Sequence, residues 1–93
     1  MAIEEVEDMA DRVIVGKIRG RNPNHEEMKA WVHTNWMGQL SAVAEVSGLS
    51  KGWYSFTFSN KQEADQILSQ NWFYGLIPIL FKRWTPLFDA DSE

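Results

Sequence analysis

The chain contains no cysteine. A disulfide framework, a thiolate metal site and a cysteine nucleophile are therefore excluded, and the composition fits a reducing compartment. There is no apolar run of the ~18 residues that a membrane-spanning helix needs. The first residues are acidic and lack the basic-then-apolar pattern of a secretory leader. The expected setting is intracellular, nuclear or cytoplasmic, with no membrane partner. Histidine is scarce too, limited to His25 and His33. His25 reads as a solvated residue in the first turn of a helix, and His33, beside the apolar stripe of that helix, as a partly buried one. Gly16-Lys17-Ile18 lacks the upstream glycine spacing of a phosphate-binding loop. No nucleophile motif stands near either histidine. The carboxylates gather toward the chain ends rather than in a cleft. These absences predict a protein that is not an enzyme and that uses neither a cofactor nor a metal.

Positive charge is also in short supply, with 9 Lys and Arg against 13 Asp and Glu, a net charge of −4. Phosphate contacts need Lys and Arg, so this total argues against nucleic acid. The distribution argues differently. Glu4, Glu5, Glu7, Asp8 and Asp11 lie in residues 1–11, and Asp89, Asp91 and Glu93 in residues 89–93, with no base in either stretch. Residues 12–88 thus keep 13 − 8 = 5 acids against 9 bases, a net of +4. A mildly basic body between acidic ends is compatible with nucleic acid, and equally with ends that simply aid solubility.

What the chain has in quantity is apolar and aromatic material: 44% hydrophobic residues and five tryptophans in 93 residues. That suffices for one domain with a core. The expected organisation is an acidic lead-in over 1–11, a folded body over 12–86 and an acidic tail over 87–93. The helical spacing of Ile3, Val6, Met9 and Ala10 allows a short helix in the lead-in. Arg12–Ile18, β-branched and apolar, predicts a first strand. Asn24 and Glu27 form a capping-box start for a helix carrying Met28, Trp31, Val32 and Trp36, with Gly38 as its stop. Ser41–Ser47 predicts a second strand with Ala42, Ala44 and Val46 inward. Trp53–Phe58 predicts a third, with Tyr54, Phe56 and Phe58 toward the core and Trp53, Ser55 and Thr57 outward. Asn60 and Glu63 open a second helix carrying Ala64, Ile67 and Leu68. Residues 71–75 read as an aromatic connection, with Trp72 and Phe73 in the core, and Pro78–Trp84 as the last strand.

The order β-α-β-β-α-β is the ferredoxin-like plan, an α+β fold with a four-stranded antiparallel sheet and two helices on one face. Lys51-Gly52-Trp53-Tyr54-Ser55-Phe56-Thr57-Phe58 resembles the octamer of RNA-recognition-motif (RRM) domains, whose third strand stacks bases, although Ser55 stands where a second exposed aromatic belongs. Val13-Ile14-Val15-Gly16-Lys17-Ile18 resembles the companion hexamer, with Ile14 in its aromatic position. On such a sheet the outward residues are expected to be Ile14 and Gly16, then Trp53, Ser55 and Thr57, then Leu80, Lys82 and Trp84, with Val43 and Glu45 at the far edge. Trp53 and Trp84 are the expected stacking residues. Lys17, Lys51, Lys82 and Arg83 are the expected phosphate contacts. The candidate nucleic-acid-binding set is therefore Lys17, Lys51, Trp53, Ser55, Lys82, Arg83 and Trp84, and the expected partner is single-stranded RNA or DNA. Two other readings stay open. The same apolar face could serve a protein partner or a second copy of the chain, or the Leu87-Phe88 segment could fold back across it.

The C-terminal third carries a more specific pattern. Trp72-Phe73-Tyr74-Gly75, followed by residues 78–89 with Lys82-Arg83-Trp84-Thr85-Pro86-Leu87-Phe88 at their centre, resembles a plant domain of unknown function found in LINE-type retrotransposon proteins. Val15-Gly16-Lys17, Trp31 and Trp53–Phe58 extend the resemblance over roughly residues 12–89. It implies an RRM-like fold, often placed ahead of a Cys/His zinc knuckle, and a nucleic-acid-associated, retroelement-type role. The absence of cysteine means that no knuckle lies within these residues.

Overall fold

The computed structural model describes residues 11–85, 87 and 88. Residues 1–10, with the helix expected there, and residues 89–93 lie outside them. The elements run β1 (Val13–Ile18), α1 (His25–Trp36), β2 (Glu45–Gly48), β3 (Trp53–Thr57), α2 (Lys61–Leu68), β4 (Phe73–Tyr74) and β5 (Ile77–Arg83), with a 3-10 turn over Ser50–Gly52. The fold is α+β, with one antiparallel sheet in the order β2-β3-β1-β5-β4.

The sheet has five strands, not the four expected. The additional one, β4, is the aromatic segment read as a connection. Gly75 and Leu76 close a two-residue hairpin between Tyr74 and Ile77. Gly75 has φ +63 at the first loop position, where a type II′ turn places its glycine. Strand alternation then separates the two residues expected in the core. Trp72 packs against the core, whereas Phe73 is exposed.

Both helices start where their caps dictate. Asn24 Oδ1 accepts from the Glu27 N–H at 2.8 Å, and Glu27 Oε1 accepts from the Asn24 N–H at 3.0 Å. At α2, Asn60 Oδ1 accepts from the Glu63 N–H at 2.9 Å. The Glu63 carboxylate accepts from the Asn60 side-chain amide at 3.0 Å rather than from its backbone, and also from the Ser41 N–H at 2.9 Å and Ser41 Oγ at 2.8 Å. That bond holds residue 41 in a loop, so β2 begins at Glu45 rather than at Ser41.

The core lies between the helices and one face of the sheet. Met28, Trp31, Val32 and Trp36 from α1 and Ala64 and Ile67 from α2 meet Ile14, Ile18, Phe56, Phe58 and Ile79. Trp36 is the hub. Its ring lies 5.3–5.8 Å from those of Trp31, Phe56, Phe58, Trp72 and Phe81. Gly16 sits beneath this cluster, where an added Cβ would come within 2.5 Å of Phe81 Cε1 and 3.2 Å of Phe56 Cε2. The glycine is required by the close approach of two rings, not by its backbone angles. His33 is exposed rather than partly buried, because the stripe passes through Val32 and Trp36. His25 is exposed too, with Nε2 3.0 Å from the Val46 carbonyl oxygen at the sheet edge.

Candidate nucleic-acid interface

Residues opposite one another in an antiparallel ladder share a face. The pairs Val13↔Thr57, Val15↔Ser55 and Lys17↔Trp53 therefore put Val13, Val15 and Lys17 outward. Ile14 pairs with Phe56, and Gly16 with Tyr54 and Phe81, all toward the helices. The expectation that Ile14 and Gly16 face outward is corrected by this register. On β5, Leu80 and Lys82 pair with the outward Lys17 and Val15, and Trp84 follows in the same phase. The outer face thus has three rows: Trp84, Val13, Thr57 and Glu45; Lys82, Val15, Ser55 and Ser47; then Leu80, Lys17 and Trp53.

Arg83 is the second residue that register moves. It pairs with Ile14 and so points to the helix side. There its guanidinium meets the Asp65 carboxylate and donates to the Asp11 carbonyl at 2.9 Å. Lys61 Nζ lies 3.2 Å from the same carboxylate. The hydrogen bond from Lys61, with Arg83 alongside, holds Asp65 below the usual carboxylate range. Arg83 is committed to a structural pair and does not face the outer surface.

Trp53 faces outward yet is only 1% exposed. Phe88 lies over it, ring centroids 5.3 Å apart and planes at 81°. The Phe88 N–H donates to the Thr85 carbonyl at 2.9 Å, which turns the chain back onto the sheet. Lys17 Nζ and Lys82 Nζ each stand 5.8 Å from the Trp53 ring centroid, and Lys82 Nζ is 5.3 Å from that of Phe88. The Trp53 Nε1–H is buried without a hydrogen-bond partner. The segment following β5 therefore covers the central aromatic of this face, one of the alternatives that composition left open. The other half of the face is open. Trp84, half-buried, lines a groove there with Val13, Glu45, Ser47, Ser55 and Thr57.

Sequence reasoning brought together Lys17, Trp53, Ser55, Lys82 and Trp84, and the structure places all five on the outer face. Lys51 stands beyond the end of that face, in the turn before β3. A family model described as a domain of unknown function, DUF4283, matches residues 6–92. The chain belongs to the DUF4283 family. Neither curated proteins nor solved structures provide a match. For this DUF4283 domain the arrangement of charge is informative. The five carboxylates of residues 12–88 are Glu26, Glu27, Glu63 and Asp65 on the two helices and Glu45 at the edge strand. Lys17, Arg19, Arg21, Lys51 and Lys82 all lie on strands or loops of the sheet layer. No helix of the described DUF4283 residues is long and apolar enough to cross a membrane.

Proposed function

We propose that this domain is a non-catalytic module that binds single-stranded RNA or DNA, weakly and with low sequence specificity, through the outer face of its sheet. The observation that carries the reading is Trp53 set between Lys17 and Lys82 on a face to which residues 12–88 contribute one carboxylate, Glu45 at its edge. An aromatic ring for base stacking beside ammonium groups for phosphate is the arrangement that sequence-tolerant single-strand binders use. Trp84 and Ser55 extend the surface along the open groove.

Phe88 sets the energy scale. A base stacked on an aromatic side chain contributes roughly 1–3 kcal/mol. Displacing an edge-to-face aromatic pair costs about 0.5–1.5 kcal/mol. The net gain at Trp53 is then under about 2.5 kcal/mol, so the binding is weak and leans on phosphate contacts. The family resemblance supports a retroelement-type, intracellular setting, nuclear or cytoplasmic. Titration with labelled single strands at about 50 mM salt, where counterion release favours binding most, tests the proposal, and no binding there would sink it.

A second reading, a protein-interaction or dimerisation module, is favoured by a specific patch. Leu76 is 96% exposed, and Phe73 and Leu80 are exposed near it at the β4–β5 end. Light scattering at two concentrations separates the readings. A dimer abolished by Leu76→Asp or Leu80→Asp supports the second, and a strict monomer that responds to oligonucleotide supports the first.

A further inference from the structure

Beyond the Trp53 end of the sheet, Lys17, Arg21 and Lys51 line a single open notch with Gly20, Asn22 and Gly52. Two segments build it, the β1–α1 loop and the turn between β2 and β3. Neither supplies a carboxylate: residues 12–25 and 46–62 contain no Asp or Glu. Among the described residues, none of Lys17, Arg19, Arg21 and Lys51 is paired with a carboxylate, in contrast to Lys61 and Arg83, which share Asp65. Like charges brought together without counter-charges repel, and a polyanionic ligand would relieve that repulsion.

The backbone is shaped at the same place. Gly20 has φ +84 and Gly52 φ +81, and Lys51, at φ +60, is the one non-glycine residue with positive φ among the described residues. That conformation costs a residue with a side chain free energy, and it falls on a cation of the notch. Asn22 Oδ1 lies 2.7 Å from where a Cβ on Gly52 would stand, so the two loops interlock there and a side chain would push them apart. Ring faces steady two of the cations. The Arg21 guanidinium is 5.4 Å from the Tyr74 centroid, and Lys17 Nζ is near Trp53 as described. A guanidinium over a ring keeps its in-plane N–H donors for an oxyanion.

We infer that this notch is a phosphate-binding site that grips the backbone of a single-stranded nucleic acid and feeds the strand onto the sheet at Trp53, the residue that follows Gly52. The inference rests on the sheet-face reading above and adds Arg21, with Arg19 beside it, to the contact set. Spatial continuity with Trp53 favours a phosphodiester over an acidic peptide, because only the former brings a base to the adjoining ring.

The test uses the whole chain with oligothymidylate, read by amide and indole chemical shifts and by the salt dependence of affinity. Binding is expected to shift the Gly20, Asn22 and Gly52 amides. Arg21→Ala and Lys51→Gly, the second of which also relieves the positive φ, are each expected to lower the log–log salt slope by about 0.7. Extrapolated from 1 M salt to about 50 mM, that slope corresponds to roughly eightfold weaker binding per contact. If the parent binds while both variants keep its slope and affinity, the notch proposal is overturned and the sheet-face reading stands. If the parent binds no oligonucleotide, the sheet-face reading falls, and pyrophosphate becomes the probe. Shifts at the notch amides would then retain a phosphate site, and their absence would overturn it. Polyglutamate that shifts the same amides and displaces oligothymidylate at equal charge concentration would assign the notch to acidic peptides and overturn the inference.

Discussion

Trp36 and Trp53 are each 1% exposed, and each buries an indole N–H that has no partner. They lie on opposite faces of one sheet and are buried by different means. Trp36 is enclosed by five other rings drawn from both layers of the core. Trp53 is covered by one phenylalanine from beyond the last strand and by two lysine stems. Equal burial therefore conceals unequal commitment. Uncovering Trp36 requires the layers to part, whereas uncovering Trp53 requires Phe88 and two lysine side chains to move. A ring needed for stability is buried in the first way. A ring held for a ligand can be buried in the second, because the cover can be exchanged for something of similar shape.

The largest expected effect comes from breaking the inner side of this comparison. Trp36→Ala removes a fully buried aromatic, a change worth about 3–5 kcal/mol, which is much of the 5–15 kcal/mol total of a typical domain. The variant is expected to be largely unfolded by circular dichroism at 37 °C. Trp36→Phe is expected to cost much less, because the N–H it deletes is unpaired and carries its own burial penalty. Gly16→Ala follows, since its methyl group meets Phe81 and Phe56 on that same face. Overpacking of this kind costs typically 1–3 kcal/mol. For a domain of this size that lowers Tm by roughly 4–8 °C per kcal/mol, readable by thermal melting.

The inner face was the legible one. Tyr54, Phe56 and Phe58 announce their side through alternation, and Asn24, Glu27, Asn60 and Glu63 mark the helix starts through their spacing. The outer face was legible only in part, and for a physical reason. In β1, Val13, Ile14 and Val15 are all buried, because the outer face at the sheet centre is covered too. A strand buried on both sides has no polar–apolar alternation to reveal its phase. Ile14 and Gly16 were therefore placed outward when the register puts them inward. Arg83 was misplaced by the same kind of ambiguity, as a cation beside an exposed tryptophan that in fact follows the parity of Ile79 and Phe81. The notch depends on two loops meeting across 30 residues of sequence, which no local pattern encodes. The paucity of acids in both loops was its available signal. β4 escaped notice because it is two residues long and owes its existence to Gly75.

Phe88→Ala sharpens the comparison from the outer side. Loss of the edge-to-face contact is expected to cost no more than about 1.5 kcal/mol. Its clearer readout is hydrogen exchange at the indole N–H groups, which are free of hydrogen bonds in both tryptophans and so report access alone. Exchange at Trp53 is expected to accelerate in the variant, while Trp36 continues to exchange only through global unfolding. Oligothymidylate affinity is expected to rise severalfold, because the ligand no longer competes with the chain's own ring. Equal acceleration at Trp36 and Trp53 would show that the two faces open together and would remove the distinction between them.

The smallest effect concerns two neighbouring cations, Arg83 and Lys82, which parity sends to opposite faces. Arg83 is tied to Asp65, whereas Lys82 lies against rings. Because Lys61 and Arg83 lower the Asp65 pKa in the folded state, their contribution to stability is fully present above the unfolded aspartate value, about 3.9. It is lost as the pH falls through the lower folded value. Asp65→Asn is expected to flatten this part of the stability–pH profile below about pH 4 while changing stability little at pH 7, since the group is solvent-screened. Asp65 lies on the helix side of the sheet and Trp53 on the other, so protection of the Trp53 indole N–H, corrected for the intrinsic pH dependence of exchange, should stay unchanged across the same window for as long as the domain remains folded. A Trp53 signal that titrates with Asp65 would mean that the helix-side pair also holds the tail in place. Phe88 would then be a cover set by the core rather than one that a ligand can lift.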